Sequence, residues 1–231
     1  VEKRLSRGSS FLAAYTFSKS IDTASGIGTG RDDRPQDSFN INAEHALSNF
    51  DVPHRFVFSS TFVLPFGKNQ KYFKDAPKFI NFLISDWTTN SITTWQSGQP
   101  FTVTVGSFDA LTAISNRRPN LVGNPRENVP SGFAFSPAAF AVPPAGQLGN
   151  VGRNTLRGGK YLNTDFGVLR TFALPFLGEN RNLQFRAEFF NVYNNVNFTL
   201  PVTTLSSSAF GRYTSNATSP RVIQFGLKFN F

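Results

Sequence analysis

The sequence predicts an all-β fold, namely an antiparallel β-barrel that crosses a membrane, and two patterns lead to this prediction. Several segments alternate between apolar and polar side chains over about 10 to 12 residues, the length that a tilted strand needs to cross a bilayer. Short and long polar connections also follow each other in turn, as they do in barrels with tight turns on one side of the membrane and long loops on the other.

The last strand shows the alternation most clearly. From Ile223 to Phe231 every second residue is large and apolar, and small or polar residues lie between them. A period of two puts the two sets on opposite faces of a strand. An uncovered apolar edge invites aggregation of a soluble sheet, whereas a barrel strand turns its apolar face to lipid and its polar face to a wet lumen. We therefore interpret this segment as a lipid-facing barrel strand.

The same alternation recurs upstream of this strand. It covers residues 10–18, 55–64, 87–96, 162–168 and 183–189, and residues 1–5 resemble the end of a still earlier strand. The chain would thus supply about six to seven strands, too few to close a barrel, since closed bacterial barrels start at about eight. The pattern predicts the C-terminal portion of a larger barrel.

Polar residues on the strand at 183–189 are candidates for lining the lumen. Gln184, Arg186 and Glu188 alternate there with apolar residues. Their side chains would either contact a ligand or pair with neighbouring strands and water, which is routine for lumen charges. Aromatic residues near the strand ends, by contrast, are typical of a girdle at the membrane interface. These are Tyr15, Trp87, Trp95 and Tyr193.

The connections predict which end of each strand faces outward. If the last strand runs down to the periplasm, the long connections all fall on the external side and the short ones on the periplasmic side. The external loops are Ile21 to Pro53, Ser97 to Lys160 and Asn194 to Ser219, and the periplasmic turns are Ser6 to Gly8, Phe66 to Asp86 and Pro175 to Arg181. Because recognition is carried by loops on a rigid scaffold, we expect ligand contacts in the longest loop. The candidates are Arg117, Arg118, Asn120, Arg153 and Asn154.

Composition excludes several classes of function. The chain has 27 Phe but no Cys, so a disulfide framework, a thiolate metal site and a Cys nucleophile are excluded. The formal charge is +9, but the basic residues form no single stripe and accompany no nucleic-acid motif, so we expect no nucleic acid as partner. Phosphates of lipopolysaccharide, anionic lipid or an acidic ligand fit such dispersed charge better. No nucleophile-elbow motif is present and the two His match no zinc spacing, so we expect no enzymatic activity, no cofactor and no metal.

Several motifs resemble one family of membrane receptors, in order and over nearly the whole chain. They are Tyr15–Asp22, Asp51–Phe56, Trp95–Phe101, Pro137–Phe140, Gly149–Asn154 and Phe185–Asn194, followed by Pro201 and Phe210–Gly211. This ordered set resembles the Oar-like branch of the TonB-dependent receptors, which often carry a carboxypeptidase-regulatory-like N-terminal domain. The final strand also resembles the closing-strand signal of outer-membrane barrels, with Leu227, Phe229 and Phe231 as a barrel-assembly signal.

The resemblance implies an outer-membrane receptor of a Gram-negative bacterium. Such receptors are expected to be barrels of about 22 strands with an N-terminal plug, energised by the TonB complex of the inner membrane. Residues 1–231 would form the C-terminal part of that barrel, and we read them as a piece of a longer protein because no signal peptide, TonB box or plug precedes them. Implied partners are outer-membrane lipid and lipopolysaccharide, the barrel assembly machinery, an unidentified solute and, through the missing plug, the TonB complex.

Two alternatives belong to other classes of function. A passive porin, or a structural or adhesion barrel, would show the same strands without coupling to TonB. A soluble extracellular all-β binding module would fold without detergent. The pattern of the strands does not identify the ligand.

Overall fold

The structure, a computed structural model, describes residues 1–4, 8–26, 35–68, 70–112, 117–178 and 181–231. One seven-stranded antiparallel sheet dominates it. Its strands are β1 (Glu2–Arg4), β2 (Ser10–Phe17), β5 (His54–Val63), β6 (Thr88–Gln96), β11 (Tyr161–Ala173), β12 (Asn182–Phe190) and β13 (Val222–Asn230). Shorter elements lie between these strands, namely β3 (Ile21–Asp22), β4 (Ala46–Leu47), helix α1 (Lys78–Ile84), β7 (Pro100–Phe101), β8 (Asn120–Leu121), β9 (Phe140–Ala141), β10 (Leu156–Arg157) and the 3-10 helices Ile41–Glu44, Pro137–Ala139 and Pro175–Leu177.

The sheet is an up-and-down meander, in which each long strand pairs with the next long strand along the chain. This order confirms the predicted all-β antiparallel sheet. Within the described residues β1 and β13 have one neighbour each, so the sheet is open. The predicted total of about 22 strands and the assignment of the whole chain to one C-terminal barrel segment stay predictions.

The connections leave the sheet at two different ends. The long ones, residues 18–53, 97–160 and 191–221, lie at what we call the loop end. The shorter ones, residues 64–87 and 174–181, lie at the turn end. Of the predicted tight turn Ser6 to Gly8, only Gly8 is among the described residues, with a φ of 77°. A left-handed φ of this kind favours glycine.

The register brings the apolar residues of neighbouring strands onto one face. Phe56 lies opposite both Tyr15 and Trp95, and Ala187 lies opposite Phe225. Antiparallel partners point to the same side of a sheet, so the alternation of β2, β5, β11, β12 and β13 adds up to one mainly apolar face, which we call the apolar face, and one polar face. β6 contributes Trp95 to the apolar face but also Thr89, Ser91 and Thr93. On the apolar face Phe225 is 68% exposed and Leu227 is 70% exposed. At β13 the sheet therefore presents an exposed apolar wall.

The hydrophobic core lies in the loops and not on the sheet. Its buried members come from two of the long connections and include Phe101, Val103, Phe135, Phe140 and Phe210. Phe135 packs edge-on against Phe140 and Phe210, with ring centroids 5.5 and 5.1 Å apart. The long loops thus form a packed unit, which we call the loop assembly (the described residues of 18–53, 97–160 and 191–221). Within it β7 pairs with β10, and Thr104 bridges to Thr204.

Helix α1 lies in the connection between β5 and β6, which the sequence predicted as the periplasmic turn Phe66 to Asp86. It spans seven residues, and a C-terminal hydrogen bond runs from the backbone N–H of Ser85 to the oxygen of Asn81. No helix among the described residues is long and apolar enough to cross a membrane.

The two faces of β13 lead to a matched pair of substitutions. Phe225→Lys should destabilise the folded protein in a bilayer by about 2 to 4 kcal/mol, because it puts a charge on the lipid-facing side of the sheet near mid-strand. Its neighbour Gln224 has the opposite orientation, so Gln224→Lys should change the free energy of unfolding by less than about 0.5 kcal/mol. Urea unfolding of both variants in lipid vesicles measures the difference. Equal destabilisation of the two variants would contradict the assignment of faces.

Candidate functional site

The loop assembly is held together by buried arginines that pair with carboxylates from distant parts of the chain. Arg118 donates from Nη1 to Oε2 of Glu44 at 2.6 Å, and Glu44 is 1% exposed. Gln36 completes this group, since its backbone N–H donates to Glu44 at 2.9 Å and its side-chain oxygen accepts from the N–H of Arg118 at 2.6 Å. Its Nε2 also donates to the oxygen of Gly149 at 3.0 Å. The first and second long loops are thereby joined.

Arg153 is the second arginine that joins these two loops. Its guanidinium pairs with the carboxylate of Asp22 and donates to the backbone oxygens of Asp22 and Glu44 at 2.7 and 3.0 Å. It also donates to the hydroxyl of Ser25 at 3.1 Å. Arg153 itself is 6% exposed. All three of its nitrogens are thus bonded within the chain.

Asn154, the next residue, also links the first and second long loops. It donates from Nδ2 to the oxygen of Leu47 at 2.6 Å and to Oδ1 of Asn49 at 2.8 Å. Its side-chain oxygen accepts from the hydroxyl of Thr102 at 2.9 Å. The backbone of Asn154 has a φ of 54°, a left-handed conformation in which Asn is strongly enriched.

A third ion pair sits where the loops meet the strands. Arg157 pairs with the carboxylate of Asp51, three residues before the start of β5, and it donates to the oxygen of Gly98 at 3.1 Å. The other carboxylate oxygen of Asp51 accepts from the N–H of Ser20 at 2.7 Å. The Arg157–Asp51 pair therefore connects β10 with the segments next to the ends of β2, β5 and β6.

The fourth ion pair lies within the longest loop. Arg117 pairs with Asp109 and donates to the oxygens of Pro144 and Gln147 at 3.3 and 3.2 Å. Asp109 also accepts from the N–H groups of Leu111 and Gly146, both at 2.9 Å. Both members of the pair are buried.

Three of these carboxyl groups have lowered pKa values. Hydrogen bonds from the N–H groups of Gly146 and Leu111 lower the pKa of Asp109. Burial alone would raise the pKa values of Asp22 and Asp51, but the hydrogen bonds outweigh it. For Asp22 they come from Ser48, Arg153 and Ser25, and for Asp51 from Arg157 and Ser20. The ionised form of each carboxyl is therefore the one that the fold stabilises.

The structure places the five loop residues predicted as ligand contacts within this network. Arg117, Arg118, Arg153 and Asn154 are buried. Arg117 contacts residues of its own loop, whereas the other three reach the first long loop. Asn120 is half-buried in β8, and its side-chain oxygen accepts from the N–H of Asn150 at 3.2 Å. Contact of these five residues with a ligand stays a prediction. The contacts seen give them a structural role that sequence reasoning missed, although Asp22, the carboxylate partner of Arg153, lies in a motif already singled out.

An open cleft in the loop assembly offers a place for a solute. It has a volume of about 540 Å³ and is lined by polar and apolar residues together. Arg126, Asn124, Asn150 and Thr155 are exposed around it, while Phe140 and Val151 connect it to the loop core. Sequence reasoning did not single out this cleft, because its residues come together only through folding of the loop.

The polar face of the sheet carries the three residues predicted to line a lumen. Gln184 lies opposite Lys228, Arg186 opposite Gly226 and Glu188 opposite Gln224. Glu188 also borders a smaller cavity of about 190 Å³, together with Asn90, Asp165 and Gly167. A Cβ added at Gly167 would lie 2.7 Å from the side-chain oxygen of Asn90, so a larger residue here would require the Asn90 side chain to move. That these three residues face a lumen stays a prediction.

The three residues predicted as an assembly signal lie at the outer edge of the sheet. Leu227 and Phe229 belong to β13, on the apolar face, and Phe231 directly follows it. Phe231 is 95% exposed and stacks on Phe229 with ring centroids 6.1 Å apart. Their role in barrel assembly stays a prediction.

A comparison with protein families agrees with this geometry. The profile of the outer membrane beta barrel domain matches residues 1–224. The chain belongs to this family. It is therefore an outer-membrane β-barrel protein, and the apolar wall of its sheet is the surface that meets lipid. The chain matches none of the curated proteins and none of the solved structures with which it was compared.

The buried carboxylate of Glu44 leads to a prediction about the loop assembly. Glu44→Gln should destabilise it by about 3 kcal/mol, because the substitution leaves the guanidinium of Arg118 buried without its counter-charge. Glu127→Gln is the matched control, since Glu127 is exposed and accepts a single hydrogen bond from Asn124. Proteolysis of the loops at increasing urea concentration measures the loss. Equal midpoints for the two variants would show that the Arg118–Glu44 pair does not hold the loops.

The lowered pKa values predict how the loops respond to acid. A carboxyl group whose pKa is lower in the folded state contributes stability above its unfolded pKa of about 4, and that stability is lost as the pH falls further. The loop assembly should therefore stay protected at neutral and mildly acidic pH and loosen below about pH 4. Amide hydrogen exchange of the loops over this pH range measures how far they loosen. In Asp51→Asn this loosening should depend less on pH, because residue 51 then no longer titrates. Loosening near pH 6 would require a different titrating group.

Proposed function

We propose that this chain is the C-terminal barrel segment of a TonB-dependent outer-membrane receptor that takes up a solute. The observation that carries the proposal is the folding of the long loops into one assembly with its own core and buried ion pairs. Selective binding requires polar groups held in place by a rigid scaffold. A passive channel makes no such demand on its external loops.

The motifs that resemble Oar-like receptors are where this rigidity arises. Asp22 lies in the motif that begins at Tyr15, Asp51 in the motif before β5, and Arg153 in the glycine-rich motif of the longest loop. Asp22 and Arg153 pair with each other, and Asp51 pairs with Arg157. The resemblance therefore follows a set of interacting residues. This supports a shared loop architecture, and the coupling to TonB rests on the family resemblance.

In the proposed mechanism a solute first binds at the loop end, which we assign to the extracellular side. The cleft that carries Arg126, Asn124 and Asn150 is the candidate first site. The solute would then enter a lumen lined by Gln184, Arg186 and Glu188 after a separate plug rearranges under the action of TonB. Transport of this kind makes and breaks no covalent bond, so the proposal requires no catalytic residue and no cofactor.

The proposed partners follow from the same mechanism. Lipid and lipopolysaccharide would surround the apolar wall, and the TonB complex would act through the plug. The barrel assembly machinery would recognise the strand that contains Leu227 and Phe229 and ends at Phe231. Each of these contacts is open to a direct binding measurement.

Dependence on an inner-membrane energy source tests the proposal. The coding sequence upstream of Val1 should specify a plug domain with a TonB box, and the whole receptor should bind the periplasmic domain of TonB in a pull-down. Deletion of the TonB box is the control that should abolish binding. An upstream sequence without a plug, or a whole receptor that does not bind TonB, would leave a passive or adhesive barrel as the function.

A further inference from the structure

Helix α1 carries an exposed apolar surface at the turn end of the sheet. Phe79 is 72% exposed, and Ile80, Phe82 and Leu83 are also exposed. Phe176, on the neighbouring turn between β11 and β12, is 78% exposed. A helix of seven residues is too short to be stable by itself in water, so its fixed position must come from contacts with the sheet.

These contacts place α1 on the apolar face of the sheet. Phe82 packs against Phe172 of β11 with ring centroids 5.4 Å apart. Trp87 packs edge-on against Phe185 at 5.8 Å, and its indole N–H donates to the oxygen of Leu83 at 2.9 Å. Phe172 lies opposite Leu183, on the same face as Phe229. The helix thus lies outside the polar face and beside the wall that meets lipid.

Arg170 anchors the helix and is itself unusual. It occupies a position on the apolar face, opposite Phe185, and is 5% exposed. Its guanidinium donates to the backbone oxygens of Phe82 and Leu83 at the end of α1 and lies 4.2 Å from the ring centre of Phe172. A cation at a helix C-terminus is favourable. None of the ion pairs among the described residues includes Arg170, and its Nε has no hydrogen-bond partner there.

A basic cleft opens beside this anchor. It has a volume of about 520 Å³, and its described lining includes Lys68, Lys74, Lys78 and Arg170, with Asp86 as the acidic residue. These four cations outnumber the carboxylate of Asp86, and such an excess of positive charge attracts an anion. Guanidinium and phosphate are geometrically matched, and lysines near a bilayer attract anionic headgroups. The cleft therefore suits the phosphate of a headgroup whose acyl chains run along the adjacent apolar wall.

We propose that α1 and its basic connector form a docking surface for anionic phospholipid, in the leaflet at the turn end of the barrel. Phe79, Ile80 and Leu83 insert at the boundary between headgroups and acyl chains, as interfacial amphipathic helices do. Lys74 and Lys78 bind the headgroup phosphate, and Arg170 adds its positive charge beneath the cleft. Two observations indicate that this surface binds lipid, namely its continuity with the apolar wall and its positive charge. The proposal needs only the barrel and its orientation, so it holds or fails independently of coupling to TonB.

Depth measurements test whether α1 lies in the bilayer. Because the chain has no Cys, Phe79→Cys gives one spin-labelling site on α1. Leu111→Cys is the matched control, since Leu111 is an equally exposed apolar residue, at 75%, in the loop assembly. In the whole protein in phosphatidylglycerol–phosphatidylcholine vesicles, the label at 79 should be accessible to oxygen and protected from a water-soluble nickel chelate. The label at 111 should show the reverse. Equal access of nickel to both labels would overturn the proposal.

Lipid titration tests the choice of headgroup. The whole protein in detergent should bind phosphatidylglycerol in preference to phosphatidylcholine. Lys74→Gln with Lys78→Gln should weaken binding of phosphatidylglycerol about 30-fold, or about fivefold for each lysine. Lys19→Gln with Lys160→Gln removes the same charge from exposed positions at the loop end and should change binding less than about twofold.

Two outcomes of the titration would overturn the proposal. The first is binding that does not depend on headgroup charge, or that falls equally in both double variants. The second is displacement of the lipid by inorganic phosphate, which would show that the cleft binds free phosphate. Retention of phosphatidylglycerol in the presence of phosphate supports the lipid assignment, because the acyl chains then contribute through the apolar wall.

Discussion

The register of the seven-stranded sheet is the constraint on which the rest of the structure depends. A slip of one residue between two strands would turn every side chain of one strand to the opposite face. Here that slip would bring Arg186 and Glu188 to the lipid side and Phe185 and Phe189 to the polar side. The observed pairs, such as Phe185 with Leu227 and Glu188 with Gln224, keep both sets in place. Because this wall meets lipid, it is not covered by other parts of the fold. The hydrophobic core of the protein therefore lies in the loops.

The buried ion pairs of the loop assembly follow from the location of the core in the loops. Long loops bury backbone carbonyl and N–H groups that no helix or strand pairs. Apolar contacts alone cannot stabilise such loops, because these groups need hydrogen-bond partners. Arg153 meets this need for the backbone oxygens of Asp22 and Glu44 while its charge is balanced by Asp22. A buried ion pair contributes little net stability compared with apolar packing, but it is costly to break on one side. Such pairs therefore fix the loops in one arrangement and penalise others.

The sequence predicted the features that depend on periodicity and left out those that depend on contacts between distant segments. Strands such as β12 and β13 were predicted nearly to the residue, because alternation is a local property. The loop core was not, since Phe101, Phe135 and Phe210 come from connections without a period. Helix α1 was missed because its seven residues give no reliable helical pattern, and the sheet supplies its stability. β11 was predicted to end near Val168, whereas it continues to Ala173. Arg170 in that extension interrupts the apolar pattern, and only α1 explains why it is tolerated.

Three arginines show why a residue type alone does not identify a site. Arg153 lies in a loop and is saturated by a carboxylate, a hydroxyl and backbone oxygens, so its charge is neutralised within the fold. Arg186 lies on the polar face opposite Gly226 and is exposed, so it is free to pair with water or a solute. Arg170 lies on the apolar face, where two carbonyls and an aromatic ring contact its guanidinium. Of the three, Arg170 combines burial with a position beside an open cleft, in whose described lining three lysines and Arg170 outnumber one carboxylate, that of Asp86. This excess of positive charge favours an anionic ligand, and the nearest abundant source beside a lipid-facing wall is the headgroup of a phospholipid.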